Sequence, residues 1–199
     1  MATRRYVSKM SVTFSKTTAK YGAFSNMASG MGLYVNDINI PSSEALYQAC
    51  KFPLFPEIQK KIISSENAMK AKQIALKYAH YIRPDWESIK FDVMRWCLRV
   101  KYLQNKKIIE EMLLSTGEAP IVEYSKKDGI WGAVPTNNHE LVGTNAMGRL
   151  LMELRQQIRN NLLAEPLLPP HITGFLLYGH EIREVFSSDY YLDDDFEMK

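Results

Sequence analysis

The stretch Gly30-Met-Gly-Leu33-Tyr-Val35-Asn36-Asp37-Ile38-Asn-Ile40-Pro41-Ser42-Ser43-Glu44-Ala-Leu-Tyr-Gln-Ala-Cys-Lys51-Phe52 changes its periodicity once. Leu33–Val35 and Ile38–Ile40 are short runs rich in β-formers, and Asn36-Asp37 between them has hairpin-turn chemistry. Pro41 stops the pairing, and Ser42 or Ser43 is placed to cap a helix running to about Phe52. On a wheel of 100° per residue, Glu44, Tyr47, Gln48 and Lys51 fall within roughly 60° on one side of Glu44 and 40° on the other. Ala45, Leu46, Ala49, Cys50 and Phe52 fill the opposite face. One short helix therefore offers an acid, an amide and an amine stacked over two turns. The plain alternative is a solvated polar face.

Outward from there, helices dominate. Pro53 and Pro56 break the first helix, and Glu57–Ile63 reads as a short one. Asn67 can cap a helix over 67–80, with Ala71, Ile74, Ala75, Tyr78 and Ala79 as its apolar stripe. Pro84-Asp85 opens another, striped by Ile89, Val93, Trp96, Val100 and Leu103. A helix over about 106–115 is stopped by Gly117. Thr144 or Asn145 caps the last, to about Leu163, with Met147, Leu150, Leu151, Leu154 and Ile158 inward. Strand candidates are few: Ser11–Phe14, the hairpin and Ile121–Tyr124. Residues 125–143 carry turn chemistry and read as loop. Elements that do not alternate βαβ predict an α+β fold, helix-rich with a small β-sheet. The expected organisation is one domain over residues 1–163 followed by a C-terminal extension over 164–199.

The chain has 199 residues, 46% apolar and 24% charged. This is enough to bury a core without disulfide or metal staples. No apolar run approaches the ~20 residues of a membrane span, and no secretory signal follows Arg4, Arg5 and Lys9. Cys50 and Cys97 stand apart from any C-x-x-C pair, which predicts reduced, buried thiols in a cytoplasmic protein. Four scattered histidines predict no metal site. The absence of G-x-G-x-x-G and of a P-loop leaves nothing that asks for a nucleotide cofactor. The net charge of +3 is uneven: the last 14 residues hold five acids and one lysine, leaving about +7 on the rest. That excess favours phosphorylated ligands. The acidic end reads as a solvated tail or, more sharply, as a flap over a basic cleft.

Other candidate positions each carry an ordinary alternative. Asn26, after Tyr21-Gly22 and Phe24, is a turn residue or an amide for a ribose hydroxyl or base edge. Asp128-Gly-Ile-Trp131-Gly132 places a carboxylate near a loop tryptophan that either stacks on a base or plugs the core. Gly143-Thr-Asn145-Ala-Met-Gly148 opens the last helix with small residues and free N–H groups, a plausible phosphate cradle. Arg149 and Arg155 on that helix read first as salt-bridge residues.

Tyr21-Gly-Ala-Phe-Ser-Asn26, Ser43-Glu-Ala-Leu-Tyr-Gln-Ala-Cys-Lys-Phe52, Lys101-Tyr-Leu-Gln-Asn105, Leu114-Ser-Thr-Gly117, Val122-Glu123, Asp128-Gly-Ile-Trp-Gly132 and Gly143 through Arg155 together resemble the NADAR, or YbiA-like, family over about residues 12–160. The resemblance implies an N-glycosidase, and two substrate classes belong to such relatives: ADP-ribose attached to guanine, and phosphoribosylamino-pyrimidine intermediates of riboflavin formation. Both join C1 of a phosphorylated ribose to an exocyclic amine. It implies Lys51 as a Schiff-base nucleophile whose pKa must fall through partial burial, Glu44 as proton shuttle and Asp128 as a second acid/base or ribose ligand. Asn26, Phe24 and Gln48 would contact ribose or base, Trp131 would stack, and Asn145 with Gly148 would take phosphate; Arg155 is equally a structural residue. Direct hydrolysis through an oxocarbenium ion, with Glu44 and Asp128 as the two carboxylates, is the competing chemistry. ADP-ribosylated guanine in a nucleotide or nucleic acid is the first expected substrate. A non-catalytic ADP-ribose-binding module is a further alternative.

Overall fold

The computed structural model describes residues 1–188, which divide into two compact units with a helix-rich α+β make-up. The reading of the acidic end covers residues 186–199, of which 189–199 lie outside the described residues.

One unit comprises residues 1–25 and 107–163. Strand β1 (Arg4–Val7) pairs antiparallel with β7 (Glu140–Gly143), Arg4 facing Gly143, and β6 (Val134–Pro135) pairs with the other edge of β7. Strand β2 (Val12–Phe14) runs parallel to β5 (Ile121–Glu123), and helix α6 (Ala146–Arg159) packs on β5. Tyr6, Val122, Ala133 and Leu141 form a core with Tyr124 against it. Residues 125–143, read as loop from their turn chemistry, contain β6 and β7. Neither strand has a long apolar run, and β7 is held by β1, over 130 residues away in sequence. Helix α5 (Lys106–Ser115) ends as expected, with Gly117 at φ +54° in the left-handed region that glycine adopts without strain.

The other unit comprises residues 26–106 with 164–188. The hairpin of β3 (Leu33–Val35) and β4 (Ile38–Ile40) turns through Asn36 and Asp37, both at positive φ (51° and 62°) as a two-residue hairpin turn requires. Helix α1 (Ser43–Ala49) follows, its first turn capped by the Ser42 hydroxyl, which accepts from Ala45 N at 3.2 Å. It ends a turn earlier than its apolar pattern suggests. Helices α2 (Pro56–Ile63), α3 (Ala68–Lys77) and α4 (Trp86–Gln104) surround it, so both its faces are buried. Strands β8 (Leu176–Leu177) and β9 (His180–Glu181) are tied to it through Gln59, fully buried on α2, whose amide donates to the carbonyls of Ala49 and Leu176 and accepts from Tyr178 N. Among the described residues no helix is long and apolar enough to cross a membrane.

Candidate active site

Helix α1 carries the densest chemistry. Glu44 lies in its first turn and is only 3% exposed, which overturns the reading of this face as solvated. Its carboxylate accepts from the Asn26 amide through Oε2 and from Gln48 Nε2 through Oε1, the latter at 2.7 Å. Asn26 is itself fixed: its carbonyl accepts from Glu44 N at 2.9 Å and from Ser43 Oγ at 3.1 Å. Because the carboxylate takes the N–H of Gln48, the Gln48 Oε1 is left buried with no partner among the described residues. A buried orphan acceptor costs about 1–3 kcal/mol, which a ligand hydroxyl or amine would recover.

Burial pushes the Glu44 carboxyl above its ordinary range, opposed by the Gln48 hydrogen bond and by the charges of Lys72 and Lys51. The same desolvation pushes the Lys51 amine down, helped by Lys72 and Lys90 and opposed by Glu44 and Glu87. Lys51 Nζ lies 5.5 Å from the ring centre of Tyr47 and 5.3 Å from that of Trp86, and these rings meet at 5.0 Å. The Lys51 carbonyl accepts from Arg83 N at 3.0 Å. The unit thus brings together Asn26, Glu44, Gln48 and Lys51, and adds Tyr47 and Trp86, which the sequence reading did not assign. Trp86 opens α4 directly after Pro84-Asp85. An aromatic residue there could be noticed in the sequence, but nothing local says that it faces Lys51. A cavity of about 1300 Å³ elsewhere in this unit, by the β3–β4 hairpin and residues 183–188, is lined by none of these six.

Behind α1, Cys50 and Cys97 are free, buried thiols. Burial pushes the Cys97 thiol well up, as does its hydrogen bond with Cys50. This keeps it protonated and inert.

In the other unit the candidate positions are occupied by structural duties. Phe24, 1% exposed, stacks on Tyr21 (5.6 Å) and meets Phe14 edge-on (5.7 Å), so it is a core residue rather than a substrate contact. Asp128 Oδ1 accepts from Ile130 N (2.8 Å) and Trp131 N (2.9 Å), shaping the loop that carries the half-buried Trp131. Asn145 is fully buried at φ +50° and does not cap α6. Its Oδ1 accepts from Glu123 N (3.0 Å) and its Nδ2 donates to Ile121 O (2.9 Å), stitching the helix start to β5. The first N–H groups of α6 are spent as well: Ala146 N and Met147 N donate to the carbonyls of Ile130 and Trp131, each at 3.0 Å. A phosphate at this terminus would find no free donor from Asn145, Ala146 or Met147. The sequence could not reveal this, because their partners sit on a loop and a strand remote in sequence. Gly148 is required by contact, since a Cβ there would fall onto the Ile121 carbonyl oxygen. Arg155 is buried and donates to Thr116 Oγ1 (2.6 Å) and Ala119 O (2.9 Å). Arg149 reaches Ala2 O at 3.1 Å.

Residues 13–159 match the family model described as the NADAR domain. The chain is 35% identical over 147 residues to the N-glycosidase YbiA of Escherichia coli, a match spanning 74% of this chain and 88% of that protein. It is 34% identical over 146 residues to the riboflavin biosynthesis protein VVA0006 of Vibrio vulnificus, covering 70% of this chain and 38% of that longer protein. The solution structure of E. coli YbiA superposes with a TM-score of 0.65 at 34% identity, over 77% of this chain and 88% of that one. With motif order, fold and sequence in agreement over most of its length, this chain belongs to the NADAR family.

Proposed function

We propose that the protein is an N-glycosidase that cleaves the bond between a phosphorylated ribose and an exocyclic base amine, with ADP-ribose on guanine, in nucleotides or nucleic acid, as substrate. The observation that carries this reading is a buried carboxyl in the first turn of α1 and a partly buried amine just past its end, each pushed toward its neutral form. The name N-glycosidase attached to relatives at about one-third identity supports it.

Glu44 in its acid form protonates the ribose ring oxygen as the nitrogen lone pair opens the ring to a C1 imine. Neutral Lys51 adds through Nζ to C1. The resulting diamine passes a proton from Nζ to the base nitrogen, the C1–N(base) bond breaks, and the base leaves with its amine intact. A C1=Nζ iminium remains. Water adds to C1 and Glu44 carboxylate takes one of its protons; the remaining hydroxyl proton of the carbinolamine then passes to Nζ as the C1–Nζ bond breaks, giving the aldehyde sugar and neutral Lys51. The net reaction consumes one water and releases base and free phosphorylated ribose. Asn26 and Gln48 hold Glu44 in place, and Gln48 Oε1 is the acceptor for a ribose hydroxyl.

Borohydride added during turnover should fix the sugar to the peptide 44–56, and Lys51→Arg should abolish turnover while substrate still binds, because guanidinium stays protonated. Glu44→Gln should slow turnover by ~10²–10⁴. An active Lys51→Arg protein with no trapped species would refute the lysine route. The riboflavin biosynthesis names of relatives from Vibrio vulnificus and Zea mays favour a second substrate reading, phosphoribosylamino-pyrimidines. Mass analysis of products from both substrate panels decides between them.

A further inference from the structure

The end of α1 and the start of α4 are drawn together by backbone and guanidinium bonds. Arg83 N donates to Lys51 O, and Trp86 N donates to Arg83 O at 3.2 Å. The Arg83 side chain grips Asp85 at 2.6 and 2.9 Å and the Thr173 carbonyl at 2.8 Å. This fixes the turn from which Trp86 projects. Its ring and that of Tyr47, one turn before Lys51, are both buried and stand at 58° to each other. The Lys51 Nζ sits within cation–π range of both, with no hydrogen bond or ion pair of its own among the described residues.

Two ring faces around one nitrogen favour positive charge there. In the resting enzyme that preference opposes the neutral amine, so it does not help the attack. Its use comes later. Once the base has left, Nζ carries the positive charge of a planar iminium, and among the described residues no carboxylate lies within ion-pair distance of it; ionised Glu44 acts on it only through space. We propose that Trp86, together with Tyr47, is the positioning element that cradles the Lys51 iminium, stabilising this cation by its ring faces and holding it for attack by water. The inference rests on the lysine route of the preceding subsection.

The test uses an ADP-ribosylated guanine nucleotide as substrate, with borohydride added during turnover by the intact chain. Wild-type protein should give an adduct on Lys51. Trp86→Phe, which keeps a ring face, should retain adduct yield within about threefold. Trp86→Leu should lower both kcat and adduct yield by about tenfold with KM changed less than twofold, the size expected of a desolvated cation–π contact. Should the leucine variant fold poorly, mono-, di- and trifluorotryptophan placed at position 86 supply the same readout at nearly constant shape. Adduct yield should then fall stepwise with fluorine number, a response that a purely structural ring would not give. A flat fluorination series, with wild-type adduct present, overturns the cradle and leaves the lysine route standing. No adduct in the wild-type protein overturns both.

Discussion

Asn145→Ala separates two roles that the same residue type can play at a helix start. In the structure the side chain reaches no solvent; it satisfies Glu123 N and Ile121 O and holds a left-handed backbone. Removing the amide strands two buried backbone groups, at about 1–3 kcal/mol each. Alanine at φ +50° adds roughly 1 kcal/mol that asparagine escapes more cheaply. The expected loss is therefore about 3–7 kcal/mol, a large part of the ~5–15 kcal/mol that holds a typical protein folded. For a chain of this size each kcal/mol lowers Tm by about 2–4 °C, so Tm should drop by about 6–28 °C. Asn145→Asp sharpens the test: it keeps the shape and the acceptor for Glu123 N but sets a carboxylate oxygen against the Ile121 carbonyl. It should destabilise at least as much as alanine. Urea and thermal unfolding give the stability, and turnover of the folded fraction at low temperature gives KM and kcat. The structural reading requires large stability losses with KM nearly unchanged. Variants stable to within about 0.5 kcal/mol with KM raised tenfold or more would refute it and return Asn145 to the phosphate site.

Two further outcomes follow from packing and from proton linkage. Gly148→Ala should destabilise by about 1–3 kcal/mol in urea unfolding despite alanine's higher helix propensity, because the new methyl meets backbone at Ile121 rather than a side chain that can move. For Glu44, the folded carboxyl titrates above its unfolded value near 4.5. The folded state therefore binds more protons in that window, and stability declines as pH rises through it. Glu44→Gln should remove this decline and be more stable at neutral pH by about 0.5–2 kcal/mol, even as turnover collapses. A variant with the wild-type pH slope would show that another group carries it.

Legibility in the sequence tracked how local each determinant is. The Asn36-Asp37 turn, the Ser42 cap and the Gly117 stop are all set by neighbours within a few residues, and the structure has them where the sequence reading has them. The β1–β7–β6 sheet is not local. Its strands are two to four residues long, and the pairing of Arg5 with Val142 leaves no mark on either segment. The wheel of α1 likewise sets Glu44 and Gln48 on one face, but it carries Lys51 past the actual helix end at Ala49 and does not show burial, which depends on α2, α3 and α4 closing around a helix of seven residues. Asn145 fails for a related reason. Residue type and helix position suggest a cap or an anion ligand, whereas the hydrogen-bond partners that decide its role lie on β5, over 20 residues earlier.

The distribution of committed and uncommitted groups also weighs between the two hydrolytic routes. An oxocarbenium route needs two carboxyl groups free to act on opposite sides of C1. Asp128 has one oxygen already holding two backbone N–H groups of its own loop, and those bonds would have to be remade if it moved to share or release a proton. Of the nearby acids on the α1 side, Glu87 is ion-paired to Lys90 and largely exposed. Glu44 remains, and its two fixed amide donors stabilise its ionised form while burial favours its neutral form. Opposed influences of this kind suit a group that must both give and take a proton in one cycle. The partner such a group requires is a nucleophile that starts neutral, becomes cationic and is set free by water. Lys51, desolvated, without an ion pair among the described residues and seven residues beyond Glu44, just past the end of α1, meets that requirement without calling on a second carboxylate.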